Sequence, residues 1–96
     1  MINFNNVKDE DYLICIKYLN NKFATFIKNK EYKLCYTSIQ IIKNRPFKIY
    51  IDIEDIEDSF KFEFYNSETN FKSTFYYDDY FIDKNSYRKD KLKKLL

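Results

Sequence analysis

The sequence predicts an α+β domain in the order αββββα: a long N-terminal helix packed on a four-stranded antiparallel meander, followed by a short C-terminal helix. Three observations predict it. Phe47, Ile49, Ile51 and Ile53 alternate with Lys48, Tyr50, Asp52 and Glu54, and a period of two with β-branched residues on one side marks a strand with one buried face. Phe60, Phe62 and Phe64 alternate in the same way with Lys61, Glu63 and Tyr65. Tyr12, Cys15, Ile16, Leu19, Phe23, Phe26 and Ile27 recur at spacings of three and four behind an acidic run, which is the stripe of an amphipathic helix.

In chain order, Ile2, Phe4 and Val7 form an apolar lead-in that either adds an edge strand or packs down on the core. Asp9, Glu10 and Asp11 follow as an acidic first turn with Asp9 as N-cap, and their charges complement the helix dipole. The helix is expected from Asp11 to Lys30, about 30 Å at a rise of about 1.5 Å per residue. A rival reading makes Tyr12 to Tyr18 and Phe23 to Lys28 two strands joined through Asn20 and Asn21; the capping charges favour the helix. Leu34 to Lys43 alternates as a strand with Cys35, Thr37, Ile39 and Ile41 on one side, although Cys35, Ile39 and Ile42 also fit a helix, so residues 32–43 stay open between the two.

Asn44, Arg45 and Pro46 break the chain, because proline disfavours a helical residue before it. Leu34 to Glu54 therefore reads as a hairpin. Asp55 to Ser59 is an acidic turn, Phe60 to Tyr65 a strand, Asn66 to Asn70 a polar loop and Phe71 to Tyr77 a returning strand that Asp78, Asp79 and Asp83 terminate. Ser86 to Leu96 suits a terminal helix with Tyr87, Leu92, Leu95 and Leu96 on one side. No crossover helix separates the strands, so the sheet is expected to be antiparallel. Without a repeat or linker, residues 1–96 read as one domain.

Composition narrows the chemistry. The chain has no His, which removes Ser-His-Asp and Cys-His catalysis and His-ligated metals. It has no Gly, which removes phosphate-cradling glycine loops and moves positive-φ turns onto Asn or Asp. Cys15 and Cys35 are too few and too far apart for a zinc motif and read as small buried residues in a reducing compartment. Ten Phe and ten Tyr beside abundant Lys, Asn and Ile follow from AT-rich codons, so the composition reports the genome more than the function. No apolar run reaches the roughly 20 residues needed to cross a bilayer, and the N-terminus lacks the basic start and apolar core of a signal peptide. A soluble, cytoplasmic protein without membrane contact is expected.

Charge is segregated. Residues 1–50 carry nine basic and four acidic side chains, 51–82 two and nine, and 83–96 six and two, so a middle of minus seven lies between ends of plus five and plus four. Such blocks steer a basic partner to the middle or an anionic one to the tail.

Asp52 and Glu54, two apart on a strand, project from one face about 6.5 to 7 Å apart, close enough to share hard divalent ions, with Asp55 and Asp58 adding charge nearby. The stretch LCYTSIQIIKNRPFKIYIDIED, Leu34 to Asp55, resembles the first metal-binding motif of the archaeo-eukaryotic primase superfamily, in particular the primase-polymerases. There a Cys-Tyr strand, a turn and an apolar-Tyr-apolar-Asp-apolar-Glu strand occur in that order. The Asp-Ile-Glu core is equally similar to the first exonuclease motif of family B DNA polymerases. The resemblance implies Asp52 and Glu54 as the first two metal ligands, holding Mg or Mn. The chain departs from the family in lacking the downstream Ser-x-His motif and the length for the remaining catalytic lobe, which implies a fragment or decayed copy of a metal-dependent nucleic-acid-processing domain.

The missing residue types favour a different reading: a small non-catalytic protein-binding module without a cofactor, such as an inhibitor, immunity or accessory protein of a phage, virus or AT-rich bacterium. Its expected contact residues are Tyr50, Asp52, Glu54, Asp55, Glu57 and Asp58, a charged sheet face with an acidic segment that suits a protein partner with a basic groove. Single-stranded nucleic acid on Tyr50, Tyr65, Tyr76 and Tyr77 with Lys48, Lys61 and Lys72 is a third reading, disfavoured because the same region is net acidic.

Overall fold

The computed structural model describes residues 1–37, 40–53, 61–69 and 75–95. A turn of 3₁₀ helix at Phe4–Asn6 leads into β1 (Tyr12–Cys15), β2 (Leu19–Asn20), β3 (Thr25–Phe26), β4 (Glu31–Thr37), β5 (Ile41–Ile42), β6 (Arg45–Pro46), β7 (Lys48–Asp52) and β8 (Lys61–Tyr65). The one-turn helix α1 (Tyr77–Tyr80), β9 (Phe81–Asp83) and helix α2 (Lys84–Leu95) complete the order. Five strands make one antiparallel sheet, β8-β7-β4-β1-β9, while β2 with β3 and β5 with β6 form two small two-stranded sheets.

The long N-terminal helix and the αββββα order are overturned: the fold is mostly sheet, and residues 11–30 supply β1, β2 and β3. Strand β1 lies inside the sheet, pairing Leu13 with Tyr32 on one side and with Asp83 on the other. The helical spacing was misleading because it mixed buried with exposed positions: Cys15, Leu19 and Phe26 do enter the core, but the rest of the pattern fails. Tyr12, Phe23 and Ile27 from the expected stripe are exposed, whereas Leu13, Ile14 and Ala24 outside it are buried. Asparagines are weak helix formers that favour turns, and here Asn21 Oδ1 accepts the Phe23 and Ala24 backbone N–H groups at 2.8 and 3.0 Å to close the β2–β3 tip. The acidic run caps no helix. Asp11 Oδ2 accepts from the Lys8 N–H at 2.8 Å, Glu10 takes φ 73°, and the Asp11 carbonyl accepts from Leu34 N–H to begin the β1–β4 ladder.

The alternations at β7 and β8 hold. Ile49 and Ile51, with Phe62 and Phe64, are buried on the face that also carries Leu13, Cys15, Tyr32, Leu34 and Phe81. Phe26 folds onto this face and meets Tyr32, Phe62, Phe64 and Phe81 edge to face at centroid distances of 5.0 to 5.7 Å. Phe62 and Phe81 belong to the two outermost strands, so the sheet is curled around an aromatic plug. A register shift between Leu34 and Tyr36 contributes, since a bulge sharpens the local bend and twist.

The hairpin joining β4 to β7 carries its own two-stranded ladder, turned by Lys43 and Asn44 at φ 50° and 65°. Two positive φ values identify a type I′ turn, whose twist matches the flanking strands. Positive φ therefore falls on Glu10 and Lys43 as well as on Asn29 and Asn44, not on Asn or Asp alone as expected; at Lys43 hairpin geometry outweighs residue preference.

At the C-terminal end the expected Phe71 to Tyr77 strand lies partly outside the described residues. Tyr76 makes one bridge to Tyr65, Tyr77 opens α1, and Asp83, read with Asp78 and Asp79 as ending that strand, instead belongs to β9 (residues 81–83) on the far side of β1. Asp83 is buried and doubles as the N-cap of α2, accepting the Ser86 N–H at 3.0 Å and the Asn3 N–H at 2.8 Å. Helix α2 packs against β1 and β9 over Ile14 and Ile82, which are buried outside the main core. Leu92, expected on its apolar side, is 61 % exposed, because α2 is basic all round rather than striped.

The N-terminal lead-in packs down and adds no strand among the described residues: Ile2 is buried, and Phe4 and Val7 lie against the core. Arg45 holds it there. Its Nη2 donates to the Ile2 carbonyl at 3.0 Å and to Asp78 Oδ1 at 2.9 Å, while Asp78 Oδ1 also accepts the Ile2 N–H at 2.9 Å.

Candidate outer-face binding site

The side chains opposite the buried set on β7 and β8 form the candidate site. Antiparallel register places Lys48 beside Tyr65, Tyr50 beside Glu63 and Asp52 beside Lys61, and cross-strand neighbours on one face are close enough to interact. Glu63 is the hub: it takes the Lys48 ammonium at 3.6 Å and the Tyr65 hydroxyl at 2.6 Å. Lys48 Nζ also lies 5.1 Å from the Tyr50 ring centre, and Phe47 meets the Tyr65 ring edge to face at 5.5 Å.

These contacts move the ionisable groups. Its hydrogen bond with Tyr50, then the Glu63 carboxylate, holds the Lys48 ammonium above its ordinary pKa despite the opposing effect of burial. The hydrogen bond to Glu63, then burial, raises the Tyr65 phenol. On β4, burial and then the negative charge of Asp52 push the Cys35 thiol up. Cys35 is only half-buried, unlike the buried Cys15, whose thiol donates to the Lys17 carbonyl at 3.1 Å.

Tyr50 and Asp52 sit where the alternation puts them, half-buried on the outer face. Glu54, Asp55, Glu57 and Asp58 lie outside the described residues, as does the Asp52–Glu54 pairing expected of a metal site. What the register adds is a cation opposite Asp52, namely Lys61. Over β7 and β8, Lys48 and Lys61 balance Asp52 and Glu63, so this described part is not net acidic. Among the described residues no group of three or more His, Cys, Asp and Glu side chains lies together in a way that could hold a metal ion.

Tyr77 does not belong to any exposed aromatic platform. It is fully buried and donates its hydroxyl to the Pro46 carbonyl at 2.9 Å; burial, the largest influence, raises its pKa. Sequence reasoning missed the Arg45–Asp78 clamp, since 33 positions separate its members. It also missed the Asp83 cap, for which the signal was present: Asp83 directly precedes a long basic helical run with Ser86 three residues on. No described helix is long and apolar enough to cross a membrane.

Comparison with models of known protein families, with curated proteins and with solved structures returns no significant match to this chain.

Proposed function

We propose that the protein is a small non-catalytic protein-binding module that engages its partner through the outer face of β7 and β8. The observation that carries this reading is the ordered Lys48–Tyr50–Glu63–Tyr65 group. Tyrosines dominate binding energy at interfaces because they combine apolar area with a polar tip, and side chains already held in place lose less freedom on association. Asp52 lies on that face, and it is followed in the sequence by Glu54, Asp55, Glu57 and Asp58, carboxylates that suit a basic groove on the partner. The role belongs to the class of inhibitor, immunity or accessory proteins of a phage, virus or AT-rich bacterium. It operates in the cytoplasm without a cofactor, and two free cysteines are compatible with that compartment.

The test compares proteins retained from an extract of the source cells by the immobilised wild type and by the Tyr50→Ala, Tyr65→Ala double variant. A protein held by the wild type and absent from the variant, with matching circular dichroism, is the expected result. Equal retention by both removes the outer face from the proposal.

A second reading, a primase-like fragment holding Mg or Mn on Asp52 and Glu54, draws on the direct pairing of β4, which contains Cys35 and Tyr36, with β7, which contains Tyr50 and Asp52. Titration with Mn²⁺ followed by NMR decides it: line broadening centred on Asp52 at millimolar metal supports this reading, and an unchanged spectrum eliminates it.

A further inference from the structure

A different surface is net basic. Between α2 and the turn at Lys28 and Asn29 lies a cleft of about 510 Å³, within the size range of small-ligand sites. Ile16 and the buried Ile82 line its apolar part, and Lys28, Lys91 and Lys94, all exposed, supply the cations. Tyr87 stands in the wall, its hydroxyl donating to Asn29 Oδ1 at 3.3 Å and its ring lying 4.6 Å from Lys91 Nζ. Asp90 is the one carboxylate among these lining residues.

Among the described residues no ion pair neutralises these cations, and Lys91 lies against a neutral ring. The helix continues the same charge beyond the cleft: Lys84, Arg88, Lys89, Lys91, Lys93 and Lys94 stand against Asp90 alone. Among the described residues only Lys84 of that set is paired, with Glu31 at 3.1 Å.

We infer that this cleft binds single-stranded nucleic acid, its phosphates on Lys28, Lys91 and Lys94 and an unpaired base on the Ile16–Ile82 surface. Two features select this ligand. Cations running along a whole helix track a continuous polyanion, whereas a single acidic side chain needs only one of them. A recessed apolar surface is open to a base only when that base is unpaired, and single strands supply exposed base faces alternating with phosphates. This site is independent of the protein-binding face on β7 and β8.

The test titrates a fluorescein-labelled oligothymidine of about 12 nucleotides, within the span of single-strand binding sites, against the full chain at a series of salt concentrations. Binding is expected to weaken with salt. In the Lys28→Ala, Lys91→Ala, Lys94→Ala variant, affinity is expected to fall at least about tenfold and the salt slope to drop by about 2, at roughly 0.7 for each phosphate left without its cation. Matching thermal melts verify that the exposed substitutions leave the fold intact, and methyl resonances of Ile16 and Ile82 are expected to shift on binding. The inference is overturned by no binding at low salt, by unchanged affinity in the variant, or by shifts confined to the Lys89 and Lys93 side of the helix. Displacement of the oligonucleotide by a polyglutamate peptide at lower concentration overturns it in favour of an acidic protein segment.

Discussion

The rings of Phe64 and Phe81 meet edge to face with centroids 4.9 Å apart, although their strands are the two outer edges of the five-stranded sheet. In a flat sheet those edges would stand roughly 19 Å apart, four spacings of about 4.8 Å. The curl exists because inward aromatic side chains from both edges share one apolar volume with Phe26, and their burial is the main stabilising term available to so small a chain.

Removing a member of that plug should therefore be severe. Phe64→Ala is expected to cost about 3 to 5 kcal/mol, a large part of the roughly 5 to 15 kcal/mol total of a typical domain. Phe64→Leu, which keeps most of the volume, should cost under about 1.5 kcal/mol. Urea unfolding of both variants measures the difference; equal midpoints for the two would show that the plug tolerates a void.

The Arg45–Asp78 pair should matter more than its chemistry alone suggests, because both side chains are only 19 % exposed and Asp78 also accepts the Ile2 N–H. Asp78→Ala is expected to destabilise by about 1 to 3 kcal/mol, the cost of leaving part-buried donors unpaired. Glu68→Ala, which breaks the exposed Lys43–Glu68 pair at 3.0 Å, should change stability by no more than about 1 kcal/mol. Thermal melts of the two variants test the ranking.

Asp83 makes stability fall in acid. Burial acts to raise its pKa, but hydrogen bonds from Asn3 and Ser86 outweigh it and hold the carboxyl below its ordinary value of 3.8. A carboxyl whose folded pKa is depressed stabilises the fold above the unfolded pKa and loses that contribution as pH falls through the folded one. Unfolding midpoints measured from pH 5 downwards should drop steadily below about pH 4, and Asp83→Asn should show a shallower drop while being less stable at neutral pH.

Lys43 occupies a left-handed conformation at φ 50°, which costs a residue with a β-carbon roughly 1 to 2 kcal/mol. Lys43→Asn, with a residue suited to the first central position of a type I′ turn, is expected to raise the melting temperature by a few degrees, at about 4 to 8 °C per kcal/mol for a domain of this size. A fall in melting temperature would show that Lys43 contributes more through Glu68 than its exposure suggests.

Strands β7 and β8 were legible in the sequence because the side-chain period of an extended backbone is local: each residue's side follows from its neighbours, so Ile49, Ile51, Phe62 and Phe64 read directly as core and Tyr50 and Asp52 as outer face. The N-terminal third was not, because spacings of three and four also occur in a hairpin, and which residues are buried depended on distant partners. Leu13 and Cys15 are covered by the aromatic plug, and Ile14 lies beside Ile82 in the strand that completes the sheet. Tertiary structure alone decided the curl, the return of β9 to β1, the Arg45 clamp and the Lys61 facing Asp52. Each depends on how separate segments pair, across 33 positions for Arg45 and Asp78 and across the β7–β8 connection for Asp52 and Lys61, and no periodicity within one strand encodes such a pairing.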